Sequence, residues 1–232
     1  MTALLGLAAR LRVAKLMLIT DTRAGFGDLG AFAAAVFAGG VDIIQLRESR
    51  APADVQAAAL AALEKAAASR GLVSSYGAAE VGEAVRADVL QLSAFDGSAT
   101  QARTKLGQWA LIGRSCHSPA QVDAAVADPD LAFFTVSPVF YAPGVGEAGI
   151  ELVRHAAKVA PAAAVGSKPW FAVGGVNLDN LDQVLAAGAR RIGVTRAIAA
   201  APAVETAAAV FKERLIGAWD DDPGMERVAL GG

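Results

Sequence analysis

Eight short runs of β-branched and apolar residues alternate with eight alanine-rich stretches, and no other feature limits the possible folds so strongly. The runs are LMLIT (16–20), VDIIQLR (41–47), GLVSS (71–75), DVLQL (88–92), ALIGRS (110–115), AFFTVS (132–137), WFAVGG (170–175) and RIGVT (191–195). Helical patterns lie near 29–38, 52–69, 79–86, 99–107, 119–127, 149–158, 178–187 and 203–215. Gly39-Gly40 and Gly188 suit helix ends, and Pro52 and Pro119 suit first helical turns. Strict β–α order makes successive strands parallel. Eight such units predict an α/β chain folded as a single (β/α)8 TIM barrel over residues 1–218, with a doubly wound open sheet as the alternative. The acidic, Pro- and Gly-containing end, 219-WDDDPGMERVALGG-232, reads as a flexible tail outside that fold.

Bulk properties exclude several classes. With 54% hydrophobic and 19% charged residues, 232 residues make a globular core rather than a disordered chain. A net charge of −2 gives no footprint for nucleic acid. The single Cys116 rules out an internal disulfide and a Cys-rich metal site, and fits a cytoplasmic protein. Arg10, Arg12 and Lys15 interrupt the apolar N-terminus, which argues against a secretory leader, and no uninterrupted apolar run suits a membrane span. Whether copies of the chain form a homo-oligomer is left open.

Parallel strands covered on both faces are nearly all apolar, so each polar strand residue needs an explanation. Barrel active sites lie at the C-terminal strand ends, and polar groups gather there. In IIQLRESR, period-two alternation puts Gln45 and Arg47 on one face, where a guanidinium offers a fork of donors to phosphate or carboxylate. The alternative is an outward Arg47 paired with Glu48. In DVLQLSAFDGS, Gln91 and Ser93 share a face and Asp96 follows, either as a metal ligand or as a helix cap. GRSCHSP brings Ser115 and His117 to a strand end, His117 being a candidate proton shuttle or a backbone-bonded loop histidine. Cys116 reads as packing. Thr135 and Ser137 share a face in AFFTVS, before a Gly/Pro-rich loop at 142–149. Gly174-Gly175 and Val194-Thr195-Arg196 follow the last two strands, where many barrels bind phosphate through backbone N–H groups.

Taken in order, LITD, AGGVDIIQLRE, ADVLQL, IGRSCHS, VSPVF, KPWFAVGGVN and GARRIGVTRAI resemble the thiamine-phosphate synthase superfamily, which includes a thiazole tautomerase. The resemblance covers roughly residues 14–215. It implies a barrel that handles a thiazole phosphate and, in the synthases, joins it with Mg²⁺ to a pyrimidine diphosphate, releasing pyrophosphate. It would give Gln45 and Arg47 contacts to the pyrimidine and its diphosphate, and Ser115 a pyrophosphate contact. Gly175 and the 194–196 loop would hold the thiazole phosphate, and His117 lies where the tautomerase has its acid/base histidine. The expected substrate-binding set is thus Gln45, Tyr76, Gln91, Ser115 and Ser137.

Departures from the synthase pattern are equally specific. A family Lys is Ser49, a family His is Gln91, and the family's Asn-Asp-Arg after the third strand is Tyr76-Gly77-Ala78. One metal-ligand Asp matches Asp96, while the other has become Gly77. The family's TPTKPG loop aligns with 142-APGVG-146, without its threonines or lysine. Departure of a diphosphate needs charge neutralisation, and most of it is lost. Three activities follow as expectations: a divergent member with tautomerase-like chemistry through His117 and no cofactor, an active Mg²⁺-dependent synthase, and a non-catalytic phosphate-ligand binding protein.

Overall fold

The computed structural model describes residues 6–48, 50–68, 70–140 and 149–229. Ser49 and the loop at 142–146 lie outside them. Along the chain run α1 (Leu7–Val13), β1 (Leu16–Thr20), α2 (Leu29–Ala38), β2 (Ile43–Leu46), α3 (Ala53–Ala67), β3 (Leu72–Tyr76), α4 (Ala79–Ala84) and β4 (Val89–Leu92). There follow α5 (Ala99–Leu106), β5 (Leu111–Cys116), α6 (Pro119–Ala127), β6 (Phe133–Val136), α7 (Gly149–Val159) and β7 (Trp170–Val173). The chain continues through α8 (Leu181–Ala186), β8 (Ile192–Val194), α9 (Arg196–Ala199), α10 (Val204–Asp220) and α11 (Met225–Ala229). The eight strands form a closed parallel barrel in sequence order, sealed by β1 against β8 with Leu16 opposite Ile192. This is the (β/α)8 TIM barrel predicted from the alternation.

Period-two alternation sorts the strand residues into two cores. Met17, Ile43, Leu72, Val89, Leu111, Phe133 and Phe171 fill the lower barrel, with the Phe133 and Phe171 rings edge to face. Leu18, Ile44, Leu90, Ile112, Phe134 and Trp170 point outward and bury the apolar faces of the surrounding helices. Burial of each such side chain stabilises the fold by about 1.5–3 kcal/mol.

Helix α1 closes the lower end of the barrel. Its Leu11 is 2% exposed within the inner core, and its Arg10 donates to the Gly71 carbonyl at the start of β3. Next to it, Asp42 accepts hydrogen bonds from the Lys15 and Leu16 backbone N–H groups (2.7 and 2.9 Å) and pairs with Lys212 Nζ (2.5 and 2.6 Å). Burial pushes the Lys15 ammonium below its usual range, and neighbouring Lys212 adds to this.

The expected tail needs correction over residues 219–229. Helix α10 runs on to Asp220, and Trp219 is buried beneath Lys15 and Arg191, 4.0 and 5.0 Å from its ring. In α11, Met225 and Val228 pack with Trp219 against Ala162 and Ala163. Asp222 pairs with Arg190. The acidic composition concealed an apolar stripe, Ala208, Phe211, Leu215 and Trp219, at helical spacing. Residues 230–232 lie outside those described. No helix among the described residues is long and apolar enough to cross a membrane.

Candidate active site

A cleft of about 530 Å³ opens at the C-terminal strand ends, between β1, β2 and β5–β8. It gathers Arg47, His117, Ser137, Gly174, Gly175, Val194, Thr195 and Arg196 from segments far apart in sequence. Each stands where its strand end puts it.

His117 occupies the short turn between β5 and α6. Ser118 caps α6 by accepting from the Gln121 N–H, and the Gln121 side chain accepts from the His117 N–H at 2.6 Å. The backbone is therefore held on both sides of the imidazole. His117 Nδ1 lies 2.7 Å from the Ser137 carbonyl oxygen and 3.2 Å from its Oγ. A carbonyl only accepts, so Nδ1 carries the proton; this is the backbone-bonded loop histidine of the second reading, and in the neutral imidazole it leaves Nε2 with the lone pair that a general base requires. Cys116 faces away into the outer core, and burial pushes its thiol up to about 12. It is packing, as read from the sequence.

Across the cleft, Gly174 and Gly175 have φ of +105° and +71°, and a Cβ on either would press within 3 Å of Pro138 or Phe140. Only glycine permits this close, left-handed backbone. The Asn180 side chain donates to the Gly175 carbonyl at 2.9 Å, and Asn177 and Asn180 exchange further side-chain-to-backbone bonds. These asparagines and Ile19 in the cleft wall are absent from the sequence expectations. The signal for the former was there in NLDN, since paired Asn residues after a strand mark a side-chain-bonded turn. On the neighbouring segment Arg196 begins the four-residue α9, where the Thr195 carbonyl accepts from the Ile198 and Ala199 N–H groups and only those of Arg196 and Ala197 have no intrahelical acceptor.

Below the cleft lies a buried polar layer. Gln45 Nε2 donates to Gln91 Oε1 (2.7 Å), and Gln91 Nε2 donates to Ser115 Oγ (2.9 Å) and Thr135 Oγ1 (2.8 Å). All four residues are at most 5% exposed. Gln45 therefore does not join Arg47 at the mouth, although alternation puts both on one face. It lies one layer deeper, bonded across the barrel. Arg47 makes no outward pair with Glu48 and stacks over the Tyr76 ring at 4.3 Å.

Asp96 is not brought to the cleft. Its Oδ2 accepts from the Ser93 N–H at 2.6 Å, and it lines a separate cavity of about 410 Å³ with Ser115 and Arg114. Helix α5 is capped by Ser98, with Gln101 completing a capping box. Gly77 has φ +131°, a conformation that strains an aspartate as it strains any L side chain, and its N–H donates to the Gln91 carbonyl. No group of three or more His, Cys, Asp or Glu among the described residues is arranged to hold a metal ion. Mg²⁺ is held by one or two carboxylates together with substrate phosphate oxygens, and of the two expected aspartates Asp96 is present while Gly77 takes the place of the other.

Comparison with known proteins adds a family to this geometry. A family profile described as thiamine monophosphate synthase matches residues 16–198, well over half of the chain. The chain belongs to that family. Thiamine-phosphate synthase of Acidothermus cellulolyticus is 44% identical over 214 residues, covering 90% of this chain and 99% of the relative. The enzyme of Thermobifida fusca is 43% identical over 216 residues, covering 91% and 97%. Among solved structures, thiamine phosphate pyrophosphorylase from Pyrococcus furiosus superposes with a TM-score of 0.76 at 24% identity, over 90% of this chain and 98% of that one, a likeness of fold.

Proposed function

We propose that this chain binds a thiazole phosphate at the barrel mouth and moves a proton on it through His117, an isomerase reaction of the thiazole tautomerase type. The observation that carries the reading is the Nδ1 contact to the Ser137 carbonyl at 2.7 Å, which presents a basic Nε2. In this scheme the glycine pair and the start of α9 receive the phosphate. Arg47 holds the substrate carboxylate, and Nε2 takes a proton from one position and returns it to another. The reaction needs no departing diphosphate, which suits a mouth with Gly77 and Tyr76 in place of a carboxylate and an amide. Mg²⁺ has no part in it.

The second reading is an active synthase, favoured by 44% identity to a synthase over nearly the whole chain. One pair of assays separates the two. Supplied with the thiazole carboxylate phosphate, the protein should isomerise it. His117→Ala should lower that rate by about 10²–10⁴-fold with the thermal midpoint preserved. Supplied with thiazole phosphate, pyrimidine diphosphate and Mg²⁺, it should release pyrophosphate no faster than the His117→Ala variant does. Turnover to thiamine phosphate at an ordinary enzyme rate, near 1 s⁻¹ or above, would overturn the tautomerase reading.

A further inference from the structure

A third cavity lies at the opposite end of the barrel from the mouth. It encloses about 240 Å³ between α1, the 161–169 segment ahead of β7, and α11. Three arginines and a lysine line it (Arg12, Arg191, Arg227 and Lys168), and no carboxylate does. Lys168 is committed elsewhere, donating to the carbonyls of Ala125, Val126 and Asp128 at the end of α6. Arg191 is only partly committed. It is 2% exposed and donates from Nη2 to the Arg12 carbonyl at 2.7 Å, yet its Nε is buried without a partner. Ser167 Oγ, on the same wall, is also buried and unpartnered. Arg12 and Arg227 are exposed at the rim and form no ion pair among the described residues.

A buried donor left unpaired costs about 1–3 kcal/mol, so two on one wall call for an occupant. Burial lowers the Arg191 pKa only to about 10, so its guanidinium stays charged at neutral pH. A single water fills roughly 30 Å³ of liquid volume, far less than this cavity. The rest of the lining is apolar, from Leu11, Ala132 and Val228.

We propose that this lower cavity is a second binding site for a small oxyanion, a phosphate or carboxylate head on a short apolar body. The head accepts from Arg191 Nε and Ser167 Oγ, the rim arginines add charge, and the body rests on Leu11 and Val228. The site is independent of the reaction at the mouth.

The test is a titration of the ¹⁵N-labelled full chain with n-butyl phosphate, with butyrate and with n-butanol. It follows the Arg191 Nε–Hε resonance as reporter of the lower cavity and the His117 ring resonances as reporter of the mouth. The Arg191 signal is assigned through its own Cδ, and independently by its loss in Arg191→Lys if that variant folds. The Arg191 resonance should shift saturably with at least one of the two oxyanions and not with n-butanol. Which oxyanion binds more tightly decides between phosphate and carboxylate. Ser167→Ala and Arg227→Ala should each weaken that binding by roughly tenfold, the scale of one charge-assisted hydrogen bond, and leave the His117 response as it was. Three results would each overturn the proposal: silence of Arg191 with both oxyanions, an equal response to n-butanol, or a shift that follows His117 and ignores both variants.

Discussion

The two ends of this barrel handle polarity in opposite ways. At the lower end charge is concentrated, and round Asp42 it is tied down, the carboxylate serving two backbone N–H groups and Lys212 while Trp219 lies beneath Lys15 and Arg191. At the mouth, glycine backbone, an imidazole and a stacked guanidinium line an open cleft. A parallel barrel can spend its lower loops on stability because its chemistry is confined to the upper ones.

That contrast can be broken by substitution. The largest effect on stability should come from Asp42→Ala, which strips partners from two backbone N–H groups and leaves Lys212 and Lys15 facing each other. Urea denaturation should show a loss of about 3 kcal/mol, with thiazole phosphate affinity unchanged. A loss below about 1 kcal/mol would mean that the lower charges do not hold the barrel together. Next comes Gln91→Leu, which removes the hub under the cleft and orphans Gln45 and two hydroxyls. It should cost about 2 kcal/mol and also weaken ligand binding, so an effect on stability alone would detach the polar layer from the site.

The smallest expected effect concerns neither end. The Cys116 thiol is raised from 9.0 to about 12 by burial, so between those values the folded chain keeps a proton that the unfolded chain releases. Its stabilising contribution is complete below pH 9 and declines as pH rises through that window. At pH 10 the wild type should have lost about 1.4 kcal/mol relative to pH 8 that Cys116→Ala does not lose. Parallel pH dependence of the two proteins would show that the thiol is not sequestered in the outer core.

Strand identity was legible because each strand is an apolar run bounded by turn residues, and β1 and α6 follow their sequence boundaries to the residue. The cleft was legible where a residue type is rare in a buried strand end, as with Arg47, His117 and the glycine pair. Depth was not legible. Alternation tells which face Gln45 takes, but its distance from the mouth depends on strand stagger, which pairs Gln45 with Ser74 and Tyr76 with Gln91. Asp96 escaped for a similar reason, since a loop residue has no periodicity to aim it, and the Ser93 N–H claims its carboxylate. Helix α1 reads as ordinary apolar sequence, and only the barrel's open lower end gives Leu11 somewhere to go.

Closure of the barrel through β1 and β8 also sets an order of events. Until Ile192–Val194 leave the ribosome, β1 has an unpaired edge, and pairing it spans about three-quarters of the chain. Such long-range pairing is slow, and open strand edges invite contact with other chains. Trp219 arrives later still and settles beneath Lys15, the residue that leads into β1. A chain cut after residue 218 would still pair β1 with β8, but it would lack the ring that packs beneath Lys15 at that seam.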